Sequence, residues 1–147
     1  MKKVFFAMAL IMSVMMVMAC ASKPMTQEEA QAAIENIYAK YKTSLIYEGA
    51  ETYVVKGGDR LSAIAHEFYG NGFYFPLVML ASSDVVKDPD KIQPDMELII
   101  PDLQRNLDDA RAKKSIKDFL VEIAKVYDRR EGRENDAQGL RDLAASL

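Results

Sequence analysis

Residues 53–70 read YVVKGGDRLSAIAHEFYG and residues 88–101 read DPDKIQPDMELIIP, and the fold is decided by these two stretches. In the first, Tyr53, Val54 and Val55 make a short aromatic and β-branched run that predicts a strand, and Gly57 and Gly58 supply a turn. Asp59 then stands where a helix N-cap is wanted, and Leu61, Ile64, Ala65 and Phe68 follow at helical spacing, so that they share one buried face. In the second stretch Asp88-Pro89-Asp90 is turn chemistry, and Ile92, then Leu98, Ile99 and Ile100, supply a closing strand that pairs with the first. Pro101 ends it, having no N–H to continue a ladder. Between the two, residues 73–81 predict a second helix, with Pro76 tolerable only in its first turn. The order is strand, helix, helix, strand, with Val54, Leu61, Ile64, Phe68, Leu77, Leu80, Leu98 and Ile100 expected in the core.

Helical segments flank this unit. Thr26-Gln27-Glu28-Glu29 is a capping-box start, and Ala30, Ala33, Ile34, Ile37, Tyr38, Tyr41 and Leu45 recur at helical spacing, predicting a helix over 26–48 that Gly49 stops. After Pro101 one stripe runs through Leu103, Leu107 and Ala110 and another through Ile116, Phe119, Leu120, Ile123, Val126 and Tyr127. The change of phase predicts a break near 113–115. Residues 132–135 read as a loop and 136–147 as a last helix with Leu140 and Leu143 on one side. An amphipathic helix is not stable alone, so each arm must bury its stripe on the other arm, on the central unit or on a partner. Packing within the chain is the expectation, with a homodimer or docking to another envelope protein as the alternative. The fold class is α+β, and with half its residues apolar the chain can bury a usable core as one compact unit.

On these motifs and their separation, residues 53–101, about a third of the chain, resemble a LysM domain. That family is a small non-catalytic βααβ module binding N-acetylglucosamine-containing glycans. The resemblance implies a shallow groove in which Gly58, Asp59, Arg60 and Leu61 face Asp88, Pro89, Asp90, Lys91 and Ile92, with backbone groups meeting the sugar amide. Read from the residues alone, Asp59 serves equally as a helix cap and Asp88-Pro89-Asp90 as a turn. The chain departs from the family's commonest pattern at Arg60, Ser62 and Gln93, where Thr and two aromatics are frequent, so stacking on a sugar face is poorer. Ser82 replaces a usual Asn and is expected to bond backbone locally. Asp95-Met96 replaces Gly-Gln, giving Asp a turn position that asks for positive φ.

At the N-terminus Lys2 and Lys3 precede an apolar run over 4–18 and then Ala19-Cys20, which reads as a secretory signal peptide. The run is shorter than the roughly 20 residues of a spanning helix. Residues 17–20 resemble a bacterial lipobox, which implies cleavage before Cys20 and its lipidation, and Ala21 after it favours the outer membrane, facing the periplasm. Cys20 is the single cysteine, so no intramolecular disulfide forms. The expected organisation is a signal peptide at 1–19, a lipidated Cys and helical arm at 20–52, the LysM-like module at 53–101 and a helical region at 102–147.

Removal of Lys2 and Lys3 takes the formal net charge from −3 to −5, and the basic residues Arg111, Lys113 and Lys114, and Arg129 and Arg130, lie among acids. No basic stripe is left for nucleic acid. His66 is the sole histidine; His66-Glu67 begins like a zinc-protease motif, but Gly70 occupies the position of the second ligand. Neither a catalytic set, a metal site nor a cofactor motif is expected. The leading expectation is therefore a lipid-anchored envelope protein, a non-catalytic tether whose partners are peptidoglycan glycan strands and, through its anchor, a membrane. The alternative is an interaction or assembly factor acting through its helical arms, with the module as scaffold. A third reading starts from Asp88-Pro89-Asp90-Lys91-Ile92, similar to LysM modules of small bacterial proteins that also carry a BON domain and bind potassium. No BON-like segment is evident, and that reading ranks last.

Overall fold

The computed structural model describes residues 23–147, so the expected signal peptide and Cys20 lie outside the described residues. The architecture is α+β. Among the described residues six helices flank one two-stranded antiparallel sheet.

Helix α1, Gln27–Tyr41, starts as its capping box requires: the Thr26 hydroxyl accepts from the Glu29 N–H at 3.2 Å, and the Thr26 N–H donates to the Glu29 carboxylate at 2.9 Å. It ends well before Gly49. A single 3-10 turn, Lys42–Ser44, follows, and Leu45 is already extended at φ −80° and ψ 143°. The cause is tertiary. Asn106, fully buried, accepts from the Ile46 N–H and donates to the Ile46 carbonyl, both at 2.9 Å, which draws Ile46 out of any helix.

Strand β1, Glu51–Val54, pairs with β2, Glu97–Ile100, in the register Glu51 to Ile100 and Tyr53 to Leu98. Because side chains alternate across a strand, that register puts Tyr53 on the face of Leu98 and turns Val54, opposite Glu97, to the other face. Val54 is therefore 47% exposed rather than core, and Val55, just past the strand, is buried. Asp95 takes φ 70°, the left-handed conformation expected at that turn. Ser82 acts at long range rather than locally: its hydroxyl accepts from the Ile99 N–H at 2.8 Å, closing the outer edge of β2.

Helix α2, Leu61–Tyr69, ends at Gly70, whose φ of 72° is the left-handed cap. A 3-10 turn, Gly72–Tyr74, then leads into α3, Phe75–Ala81, with Pro76 in its first turn and every residue buried. After β2 come α4, Leu103–Asp108, and α5, Ala110–Tyr127. The break lies at Asp109, not at 113–115, because the Asp109 carboxylate accepts from the N–H groups of Arg111 at 3.0 Å and Ala112 at 2.8 Å and caps a new helix there. Helix α6, Glu134–Ser146, begins two residues before the expected start and buries Leu140 and Leu143.

Helix α5 lies between α1 and α6. Its Phe119 ring packs on Tyr38 and Tyr41 of α1 at centroid distances of 6.1 and 5.7 Å, and its Tyr127 stacks on Phe75 of α3 at 6.1 Å. Ala30, Ile34, Tyr38 and Tyr41, the stripe a homodimer or an envelope partner would have used, are buried inside the chain. Partner docking through the arms thus loses its physical motive.

Candidate functional site

The loop before α2 and the 3-10 turn Pro89–Lys91 form the two walls of a cleft of about 350 Å³. Asp59, Arg60 and Leu61 line it from one side, and Pro89, Asp90 and Ile92 from the other. Gly58, Asp88 and Lys91, also expected there, do not line it. Gly58 is exposed at φ 90°, its role confined to the turn. The Asp88 side chain accepts from the Asp90 N–H at 3.0 Å and from the Gln27 amide at 3.2 Å, and Lys91 folds back on it at 3.4 Å. Burial raises the Asp88 pKa, but the Asp90 N–H and Lys91 outweigh it, and the carboxyl stays below its ordinary value.

Asp59 is not the helix cap. Helix α2 starts at Leu61, which makes Arg60 the cap residue, and its side chain makes no capping bond. Standing one position too early, Asp59 turns back onto its own loop and accepts from the Lys56 N–H and the Tyr53 hydroxyl, each at 2.8 Å. Those two donors hold its pKa below the ordinary value. Asp59 therefore fixes the shape of the first wall.

Ser62, singled out in the sequence for its place near the groove, lines the cleft too, as do Phe75, Arg133 and Asp136, which the sequence did not point to. Arg133 bonds Asp90 across the cleft and Asp136 of α6 at 2.7 Å, while its guanidinium lies 5.4 Å over the Tyr127 ring. Burial works against the charge on Arg133; the Asp136 bond and the surrounding charges overcome it and raise its pKa. Nothing local marks Arg133, which is 43 residues from Asp90 in sequence.

A second cleft, of about 430 Å³, opens at the other end of the sheet and is lined by Gly49, Glu51, Tyr69, Pro101, Asp102 and Gln104 among others. Its polar groups are oxygen-rich. Asp102 caps α4 by accepting from the Arg105 N–H at 3.0 Å, and the Tyr69 hydroxyl donates to the Pro101 carbonyl at 3.0 Å. The Tyr69 pKa is pushed up by burial, then by the charges of Asp102 and Glu51. Arg105 approaches from outside, 3.9 Å from Asp102 and 3.2 Å from Glu48. His66 is exposed on α2. Among the described residues no group of three or more His, Cys, Asp or Glu side chains could hold a metal ion, and no helix is long and apolar enough to cross a membrane.

The described residues form a small α+β fold in which one open cleft is mixed in charge and another is rich in oxygen. The chain is 35% identical over 71 residues to a potassium binding protein, Kbp, from Escherichia coli O6:H1. The match covers 48% of this chain and 48% of that protein, so the chain spans about half the length of the curated relative. No protein-family model matches the chain, and no solved structure does. The finding corrects the expectations drawn from the resemblance to glycan-binding LysM modules. The named relative binds potassium, so identification as a peptidoglycan-binding LysM lipoprotein, the tethering function and glycan strands as partner are set aside. The comparison lends no support to a membrane partner through an anchor at Cys20, which lies outside the described residues. What remains of the resemblance is the strand, helix, helix, strand order, observed here as β1, α2, α3 and β2.

Proposed function

We propose that this protein binds potassium and acts as a non-catalytic binding protein. The observation that carries the reading is the 35% identity over 71 residues to a potassium binding protein. The reading that ranks last on sequence, for want of a BON-like segment, is thus the one that the comparison favours.

The two clefts differ in how well they suit such an ion. Potassium is taken up by several oxygen atoms, of carbonyls above all, that replace its water. In the cleft beside α6, Arg60 and Arg133 would oppose a bare cation, and Asp90 is already paired. The cleft at the start of α4 offers the carboxylates of Glu51 and Asp102, the amide oxygen of Gln104 and the local carbonyls, with no Lys or Arg among its lining residues; Arg105 reaches Asp102 only at 3.9 Å and from outside, where Arg133 bonds Asp90 directly. Its donors fit a weakly held alkali cation, so we assign the ion to this cleft.

Thermal unfolding of the purified full chain in potassium, sodium and tetramethylammonium chlorides at equal ionic strength tests the reading. A bound ion stabilises the native state by RT ln(1 + [L]/Kd), so the midpoint should climb with potassium beyond the other two salts. The paired changes Glu51→Lys, which sets an ammonium among the donor oxygens, and Asp102→Asn, which keeps the helix cap, should abolish that difference. Equal responses to all three cations would refute potassium binding; a potassium response that survives both changes would refute the cleft.

A further inference from the structure

The wall of the first cleft that carries Asp90 is held from outside the central strand and helix unit. Lys42 bonds Asp84 at 2.8 Å, Gln27 of α1 bonds Asp88 at 3.2 Å, and Arg133 at the start of α6 bonds Asp90. Among the described residues no hydrogen bond joins 57–62 directly to 88–92. The two loops are tied at their base, where Val55 exchanges backbone bonds of 2.9 Å with Asp95 and Met96, while at the cleft itself the 88–92 wall is held by the flanking helices.

Of the three ties, the one to Asp90 spans the cleft itself. Its anchor is fixed, because Ala137 and Leu140 of α6 are fully buried and Gly139 lies so close to Phe73 that a Cβ there would stand 2.2 Å from the ring. Its moving end is not: the Asp90 side chain is 63% exposed and that of Arg133 18%. An ion pair with one member so open to water is worth little in free energy and is screened by salt.

We propose that Arg133 is a salt-sensitive latch on this cleft. Engaged with Asp90, its guanidinium fills the cleft mouth and pins the 88–92 wall against α6; released, it leaves that wall free to swing from the α2 side while α6 stays docked. Ionic strength, rather than a ligand, sets the balance, and the latch stands whether or not the protein binds potassium.

Amide hydrogen exchange of the full chain tests it, with ionic strength raised from about 20 to about 500 mM by tetramethylammonium chloride so that potassium plays no part. The probes are the N–H groups of Asp90 and Lys91, both hydrogen-bonded to Asp88. An exposed ion pair of this class shifts an opening equilibrium about two- to fivefold. Exchange at Asp90 and Lys91 should therefore speed up by about that factor in high salt, while α5 amides stay unchanged. In Arg133→Gln and in Asp90→Asn it should be faster already at low salt and respond less to added salt than the wild type does, the remaining response coming from the Lys91–Asp88 pair. Asp90→Asn alters only an exposed loop side chain, so it decides the matter even if Arg133→Gln fails to fold. Wild-type exchange that ignores salt, or an Asp90→Asn protein that responds to salt as the wild type does, overturns the latch.

Discussion

Replacing Asn106 by Ala should destabilise the protein by about 2–3 kcal/mol. Asn106 is fully buried on α4, and its amide makes three bonds of 2.9 Å: from the Ile46 N–H, to the Ile46 carbonyl and to the Asp102 carbonyl. Each such bond is worth about 1 kcal/mol net, and a buried group left without a partner loses its solvation besides. Two features moderate the loss. Ile46 is only half-buried, so water reaches part of its backbone, and the Asp102 carbonyl keeps the Asn106 N–H at 3.2 Å. The better helix propensity of Ala returns roughly 0.5 kcal/mol. Equilibrium urea unfolding followed by far-ultraviolet circular dichroism measures the outcome. With a slope of about 1–2 kcal/mol/M for a chain of this size, the midpoint should fall by about 1–3 M at constant slope. Asn106→Asp should destabilise at least as much at neutral pH, because it sets a carboxylate against two carbonyls. A loss under about 1 kcal/mol for Asn106→Ala would show that the link between the 45–50 segment and α4 is held by apolar packing, and that reasoning from the amide was wrong.

Ser82→Ala should cost about 1–2 kcal/mol in the same assay, since it strands the Ile99 N–H at the edge of β2; a neutral result would mean that water takes its place. Asp109→Ala should cost about 1 kcal/mol through the lost cap of α5, whereas Asp108→Ala, one residue earlier and exposed, should stay within about 0.5 kcal/mol. Acid should weaken the fold in a defined direction. The Asp59 carboxyl, held low by the Lys56 N–H and the Tyr53 hydroxyl, and that of Glu122, held low by Lys40, have folded pKa values below their unfolded ones. Their contribution is whole above an unfolded value of about 4 and is lost as pH falls through the lower folded value, so the urea midpoint should hold from pH 7 to about 5 and drop below about 4. A midpoint that rises on acidification would contradict the assignment of those bonds.

Much of the local structure was legible because its causes are local. The capping box at Thr26 and Glu29, the turn at Asp88-Pro89-Asp90, Pro76 in a first helical turn and the positive φ of Asp95 each depend on a few neighbouring residues, and each is found where the sequence placed it. Misplaced boundaries share a different origin. The early end of α1 follows from Asn106, 60 residues away, and the exposure of Val54 follows from a register that only pairing with Glu97 settles. The break before α5 has a local cause, since Asp109 is an ordinary capping residue and its cap outweighs the phase of the apolar stripe.

By itself, then, the sequence determined an α+β chain with a strand, helix, helix, strand centre and amphipathic arms, because turn chemistry and apolar periodicity act over a few residues. That Asp59, Arg60 and Leu61 stand opposite Pro89, Asp90 and Ile92 was implied only by the resemblance to a LysM groove, and these six residues do line one cleft. Only the tertiary structure set Arg133 and Asp136 into that cleft, grouped Glu51, Asp102 and Gln104 at the other end of the sheet, and buried the helical stripes within one chain. The physical reason is that ion pairs and oxygen clusters are satisfied by whichever charges the packed helices carry past one another, and nothing in a residue's own neighbourhood records which those will be.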